Sequence, residues 1–170
     1  MLSSINKFII KMIVDVQNTI VKSADGEAKK LGEYSNNVVL VVNVASYCGN
    51  TAQYEDLQKL HNIYSKKGLR ILAFPCNDFG NQEPDSLAEI KNFCSTKYGV
   101  EFEIMEKVHA KGNTTEPYTT LNNVEPKGDV EWNFEKFLIG KDSKVIARFK
   151  PSIQPFDENL IAAIEVALDS

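Results

Sequence analysis

Two seven-residue runs, VVLVVNV at 38–44 and LRILAFP at 69–75, bracket a segment with helical spacing, and this leaves few folds open. Continuous β-branched and apolar runs of this length read as strands buried on both faces, as in the centre of a parallel sheet. Between them Tyr54, Leu57, Leu60 and Tyr64 recur at helical intervals, which predicts a helix from about Thr51. It stops at Lys66-Lys67-Gly68, where lysines suit the last turn and glycine the position beyond it. Strand, helix and strand with short connections make a right-handed βαβ unit.

The flanks complete an α/β domain. Ala24-Asp25-Gly26 lies between two short arms and predicts a hairpin turn. Ser86-Leu87-Ala88-Glu89 has capping-box spacing and opens a helix to about Lys97, ahead of Gly99. KFLIGKDSKVIARF, 136–149, reads as a hairpin with Asp142 and Ser143 in its turn. Leu160, Ile161, Ile164 and Leu168 give the last helix an apolar face. The expected architecture is a thioredoxin-like α/β fold, a mixed central sheet flanked by helices. One domain is expected over residues 13–170, after a flexible N-terminal extension at residues 1–12. Lys11 breaks the apolar run in that extension, and no small-residue cleavage site follows.

Charge and cysteine usage narrow the function. A formal net charge of -4 and the lack of a basic patch argue against nucleic acid. No stretch approaches the roughly 20 apolar residues that span a bilayer, so no stable membrane insertion is expected. Cys48, Cys76 and Cys94 are too few and too scattered for a disulfide scaffold, and no CxxC pair exists. They suit working thiols in a reducing compartment, and a cytoplasmic location is expected. Neither His61 nor His109 has partners that suggest a metal site.

Cys48 stands apart from the other two. It follows the first buried strand in NVASYCGNT, at the carboxyl end of the parallel pair, where open α/β sheets gather functional groups. Backbone N–H groups at a helix N-terminus favour an anion, and the thiolate is the reactive form of cysteine. Against this, free cysteines are most often small buried hydrophobes. Gly49, Asn50 and Thr51 favour a strand-to-helix elbow that exposes the sulfur.

NVASYCGNT, AFPCNDFGNQEP and WNFEKFLIGKDSKVIARF together resemble the glutathione peroxidase family in its cysteine form, from about Thr19 to the C-terminus. The resemblance implies a peroxidase that reduces hydrogen peroxide and organic or lipid hydroperoxides and needs no cofactor. It also implies a tetrad of Cys48, Gln82, Trp132 and Asn133. A thiolate attacks the peroxide oxygen and becomes a sulfenic acid, while neutral amide and indole donors polarise the peroxide. Read without the motif, Gln82 would be solvated surface and Trp132 core or interface. Four departures touch the loops: Tyr47 for a lysine, Asn50 for an apolar residue, Asp78 for a glutamine and Glu103 for a proline. An Asp78 carboxylate turned inward would disfavour a thiolate.

Cys94 matches the region where thioredoxin-dependent members carry a resolving cysteine. It also falls on the apolar face of its helix with Leu87 and Ile90, as a packed core residue would. The resemblance implies a Cys48–Cys94 disulfide reduced by thioredoxin or a related dithiol protein, with glutathione as the other candidate reductant. Cys76 is expected to be structural. Six residues separate Pro126 from Asn133, where tetrameric members carry a longer insertion, so the resemblance implies a monomer. A thioredoxin-type exchanger would need a cysteine at Thr51, and a peroxiredoxin a threonine at Ala45. A peroxide-responsive redox sensor using the same disulfide is the alternative from another functional class.

Overall fold

The computed structural model describes residues 12–170, and the expectation for residues 1–12 lies outside them, Met12 excepted. Strands β1 (Ile20–Lys22) and β2 (Ala28–Lys30) form the hairpin read from Ala24-Asp25-Gly26. The main sheet has β3 (Val38–Val44), β4 (Leu69–Pro75), β5 (Glu103–Ile104), β6 (Lys136–Ile139) and β7 (Val145–Phe149), in the order β5-β4-β3-β6-β7. β3 is parallel to β4 and β4 to β5, while β6 and β7 run antiparallel. The fold is therefore the expected thioredoxin-like mixed sheet.

Every residue of β3 is buried, and its side chains alternate between two cores. Val38, Leu40, Val42 and Val44 pack with Tyr54, Leu57 and Leu60 of α1 (Gln53–Tyr64), and with Ile90 and Cys94 of α2 (Leu87–Tyr98). Leu160 and Ile164 of α4 (Glu158–Asp169) close this face. Val39 and Val41 face the other core, with Phe74, Met105 and Tyr118, the last in α3 (Tyr118–Leu121). This two-sided burial is why the run carries no alternating polar residues.

The helix ends follow their local chemistry. Ser86 Oγ accepts the Glu89 N–H, and the Glu89 carboxylate accepts the Ser86 N–H, so α2 opens with the expected capping box. Gly99 (φ 61°) ends it, and Gly68 (φ 107°) follows the 3-10 turn that closes α1, both in the left-handed region. α1 itself begins two residues later than expected. Thr51 Oγ1 accepts the Cys48 N–H (2.9 Å) and donates to Ala45 O (2.8 Å), closing the turn that precedes the helix. In α4 the buried positions are Leu160, Ile164 and Ala167, with Leu168 half-buried.

Candidate active site

Three loops meet at one edge of the sheet because of strand direction. The carboxyl ends of β3 and β4 lie side by side, with Val44 opposite Pro75. The antiparallel β6 begins at the same edge, with Lys136 opposite Val42. The segments 45–52, 76–86 and 130–135 therefore share one end of the molecule, and they carry Cys48, Gln82, Trp132 and Asn133.

Cys48 is half-buried, with a free thiol, and its Sγ accepts the Asn50 N–H at 3.3 Å. The elbow thus presents the sulfur and aims a backbone dipole at it. The adjoining Tyr47 N–H donates to Gln82 O (3.1 Å), tying the cysteine loop to the glutamine loop. The Tyr47 hydroxyl, where many family members would carry a lysine ammonium, donates to Asp85 Oδ2 at 2.5 Å.

Gln82 and Asn133 touch directly: Asn133 Nδ2 donates to Gln82 Oε1 at 3.0 Å. Accepting through its oxygen leaves the Gln82 NH2 to donate elsewhere. Asn133 is fully buried and Trp132 is 38% exposed, so the indole is a surface group rather than core. Its ring lies against Phe79 with centroids 5.7 Å apart. Gly80, at φ 67°, makes this approach possible, because a Cβ there would stand 3.2 Å from Trp132 Cη2 and 3.4 Å from Gln82 Nε2.

Sequence reasoning missed the residues that hold these groups. Asn43, inside the apolar run of β3, donates from Nδ2 to Trp132 O (3.1 Å), and its Oδ1 accepts the Glu135 N–H (3.1 Å). Its own carbonyl accepts the Phe134 N–H (2.7 Å). One buried side chain and its backbone thus pin the WNFE segment from both sides. Phe134 pays for that geometry with a left-handed backbone (φ 70°), while its ring packs edge-on to Tyr54, centroids 5.4 Å apart. A polar residue interrupting a seven-residue buried strand was the available signal for Asn43.

Glu83 is the second omission. Its side chain is fully buried and its Oε1 accepts the Ser46 N–H at 3.0 Å, so it braces the strand end that leads to Cys48. Burial pushes its carboxyl up to about 7, against the stabilising Ser46 donors and the Lys107 ammonium. Lys107 Nζ also donates to Glu83 O (2.8 Å) and Asp85 O (2.9 Å), fixing that loop.

Asp78 does not turn toward Cys48. It faces the other core, where Oδ1 pairs with His109 Nδ1 (2.8 Å) and Oδ2 accepts the Ala110 N–H (2.8 Å). Burial works against its ionisation, but the His109 and Ala110 hydrogen bonds outweigh it and hold the carboxyl below its ordinary value. Cys76 is fully buried beside it, and burial pushes its thiol up to about 12. Cys94 is also buried, on the apolar face of α2, and burial pushes its thiol up to about 11. All three thiols are free, and among the described residues no group of three or more His, Cys, Asp or Glu is placed to hold a metal ion.

The glutathione peroxidase family model matches residues 16–122. The chain belongs to the glutathione peroxidase family. It is 48% identical to the hydroperoxy fatty acid reductase Gpx2 of Synechocystis, over 88% of this chain and 97% of that protein. It is 40% identical to the thioredoxin/glutathione peroxidase BtuE of Escherichia coli, over 90% of this chain and 97% of that one. Among solved structures, Trgpx in apo form superposes with a TM-score of 0.74 at 33% identity, covering 92% of this chain and 96% of that one. A thioredoxin-family thiol:disulfide interchange protein of Chlorobium tepidum shares the fold at 14% identity and a TM-score of 0.68, with 92% and 97% covered. The chain is thus a peroxidase of thioredoxin-like fold. No helix of the described residues is long and apolar enough to cross a membrane.

Proposed function

We propose that Cys48 is the peroxidatic residue of a thiol peroxidase acting on hydrogen peroxide and on organic or lipid hydroperoxides. The observation that carries this is the convergence of the Cys48 elbow with the Gln82–Asn133 pair and the Trp132 indole at one sheet edge. The Cys48 thiolate attacks the terminal oxygen, forming an S–O bond as the O–O bond breaks. The leaving oxygen takes a proton and departs as water or alcohol, and Cys48 becomes a sulfenic acid. Gln82 and Trp132 supply neutral N–H donors to the thiolate and to the charge that develops on the leaving oxygen. Asn133, whose amide donates to Gln82 Oε1 and Phe79 O, orients the Gln82 amide for that task. An open, half-exposed site with an aromatic wall suits bulky hydroperoxides, and two relatives are named hydroperoxy fatty acid reductases.

In the second half of the cycle Cys94 attacks the sulfenic sulfur, giving a Cys48–Cys94 disulfide and water. A dithiol protein of the thioredoxin type then reduces the disulfide. A disulfide needs Cα atoms within about 7 Å, so the turn of α2 that carries Cys94 opens if the folded spacing is longer. The burial of Cys94 favours a second reading, in which a small thiol such as glutathione reduces Cys48 directly. The domain spans residues 13–170, acts as a monomer and works in the cytoplasm, where its three free thiols remain reduced.

Peroxide turnover driven by thioredoxin and its reductase, for the native protein and Cys94→Ser, separates these readings. Native turnover that collapses in the variant supports the internal disulfide. Equal turnover in both removes Cys94, and turnover with glutathione alone supports the second reading. No turnover with either reductant favours a redox sensor.

A further inference from the structure

The chain reaches Trp132 through residues 124–131, which form neither helix nor strand. Val130 is the one fully buried side chain in that segment, so packing does little to fix its path. A single side chain of β7 does so instead. Arg148 Nη1 donates to Val124 O (3.1 Å) and Pro126 O (3.0 Å), and Nη2 to Gly128 O (3.0 Å) and Asp129 O (3.2 Å). Its Nε donates to Glu135 Oε2 at 2.8 Å. The guanidinium carries five N–H donors, so these bonds use all of them and leave none for a ligand.

The pair continues to the indole. Glu135 Oε1 accepts the Glu131 N–H (3.1 Å), so one carboxylate joins Arg148 to the residue just before Trp132. On the other side, Asn43 holds Trp132 O and the Glu135 N–H. Both side chains of the ion pair are buried, Arg148 to 6% and Glu135 to 2% exposure, and the guanidinium lies 4.9 Å from the centre of the Phe137 ring.

We propose that Arg148 and Glu135 are positioning residues of the peroxide step, holding the 124–131 segment so that the Trp132 indole is aimed at the Cys48 site. This rests on the reading of Trp132 as a donor in that step. Neither residue touches substrate; both act through Trp132.

The indole is an exposed group, so its aim depends on its backbone and on the Phe79 ring rather than on a surrounding core. A misplacement of about 1 Å in a catalytic group can cost about 100-fold in rate. The planar fork of arginine spans four carbonyls and a carboxylate at once, whereas a lysine ammonium is a point charge that cannot. Arg148→Lys therefore keeps the buried charge and loses the span. Glu135→Gln keeps the shape and one oxygen, and so serves as the second variant.

The test is a double-mutant cycle on the rate at which hydrogen peroxide oxidises Cys48 in the reduced protein, read by mass analysis of quenched samples. Arg148→Lys and Glu135→Gln are each made in native protein and in Trp132→Phe. Loss of the indole donor should slow the step about 100-fold. Each positioning variant should slow it about 10-fold with Trp132 present and less than about 2-fold in the Trp132→Phe background. Acrylamide quenching of Trp132 fluorescence should rise in both variants. A merely structural role would lower thermal stability but slow the step by the same factor in both backgrounds. That result, or a native rate in either folded variant, would overturn the proposal. A native rate in Trp132→Phe would instead overturn the reading beneath it, and the proposal with it.

Discussion

Replacing Glu83 by glutamine should change how stability depends on pH, with a sign and size fixed by the burial of the carboxyl. The folded protein raises this group from an ordinary 4.5 to about 7, principally by desolvation. Between these values the folded state binds the proton and the unfolded chain does not. The group therefore favours folding below pH 4.5 relative to high pH, and that advantage is lost as pH climbs through about 7. A rise of this size corresponds to about 3 kcal/mol, the cost of holding the carboxylate in the core at pH 8. Glutamine keeps the shape and an oxygen for the Ser46 N–H and carries no charge at any pH. Any fixed packing penalty of the substitution cancels when two pH values are compared. Urea unfolding of native and Glu83→Gln protein at pH 5 and pH 8 should show the variant gaining about 2.5 kcal/mol on the native protein over that range, since the unfolded group is already partly protonated at pH 5. A difference that stays constant within about 0.5 kcal/mol would refute the argument and place the carboxyl in contact with solvent.

Gly80→Ala forces a side chain into a left-handed backbone and against Trp132 Cη2, so it should lower stability by about 1–2 kcal/mol and displace the indole. Thermal unfolding and the fluorescence of the single tryptophan read both effects. Asn43→Ala removes the donor to Trp132 O and the acceptor of the Glu135 N–H, both buried, and should cost about 2–3 kcal/mol by urea unfolding. Lys136 is fully buried with its ammonium shared among Phe134 O, Pro151 O and Ile153 O. Lys136→Met should therefore destabilise by at least about 2 kcal/mol despite its added hydrophobicity, and calorimetry of the variant checks this.

What the sequence revealed depended on the range of the physics. The β-branched runs, the Ser86 capping box and Gly68 act within a few residues, so the central strands and α2 were legible. β5 was not, because it is two residues long and exists only through its pairing with Leu72 and Ala73. α3, at four residues, is too short to show a period. The start of α1 shifted because a threonine hydroxyl bonded to the loop behind it instead of capping the helix.

The site divides the same way. Cys48, Gln82, Trp132 and Asn133 were picked out by motif, and strand direction explains why they meet. Asn43 and Glu83 act across 92 and 37 residues of chain, and no local pattern announces such hydrogen bonds. The orientation of Asp78, which the sequence leaves open, is set in the same long-range way: its partners His109 and Ala110 lie 31 and 32 residues on and hold it away from Cys48.

The most direct test of Cys48 as the peroxidatic residue is mass analysis of Cys94→Ser protein after one equivalent of hydroperoxide. A single oxygen atom added on the peptide that contains Cys48, absent when Cys48→Ser is also introduced, is the predicted result. Oxygen on the Cys76 peptide instead, or peroxide turnover undiminished by Cys48→Ser, would contradict the account.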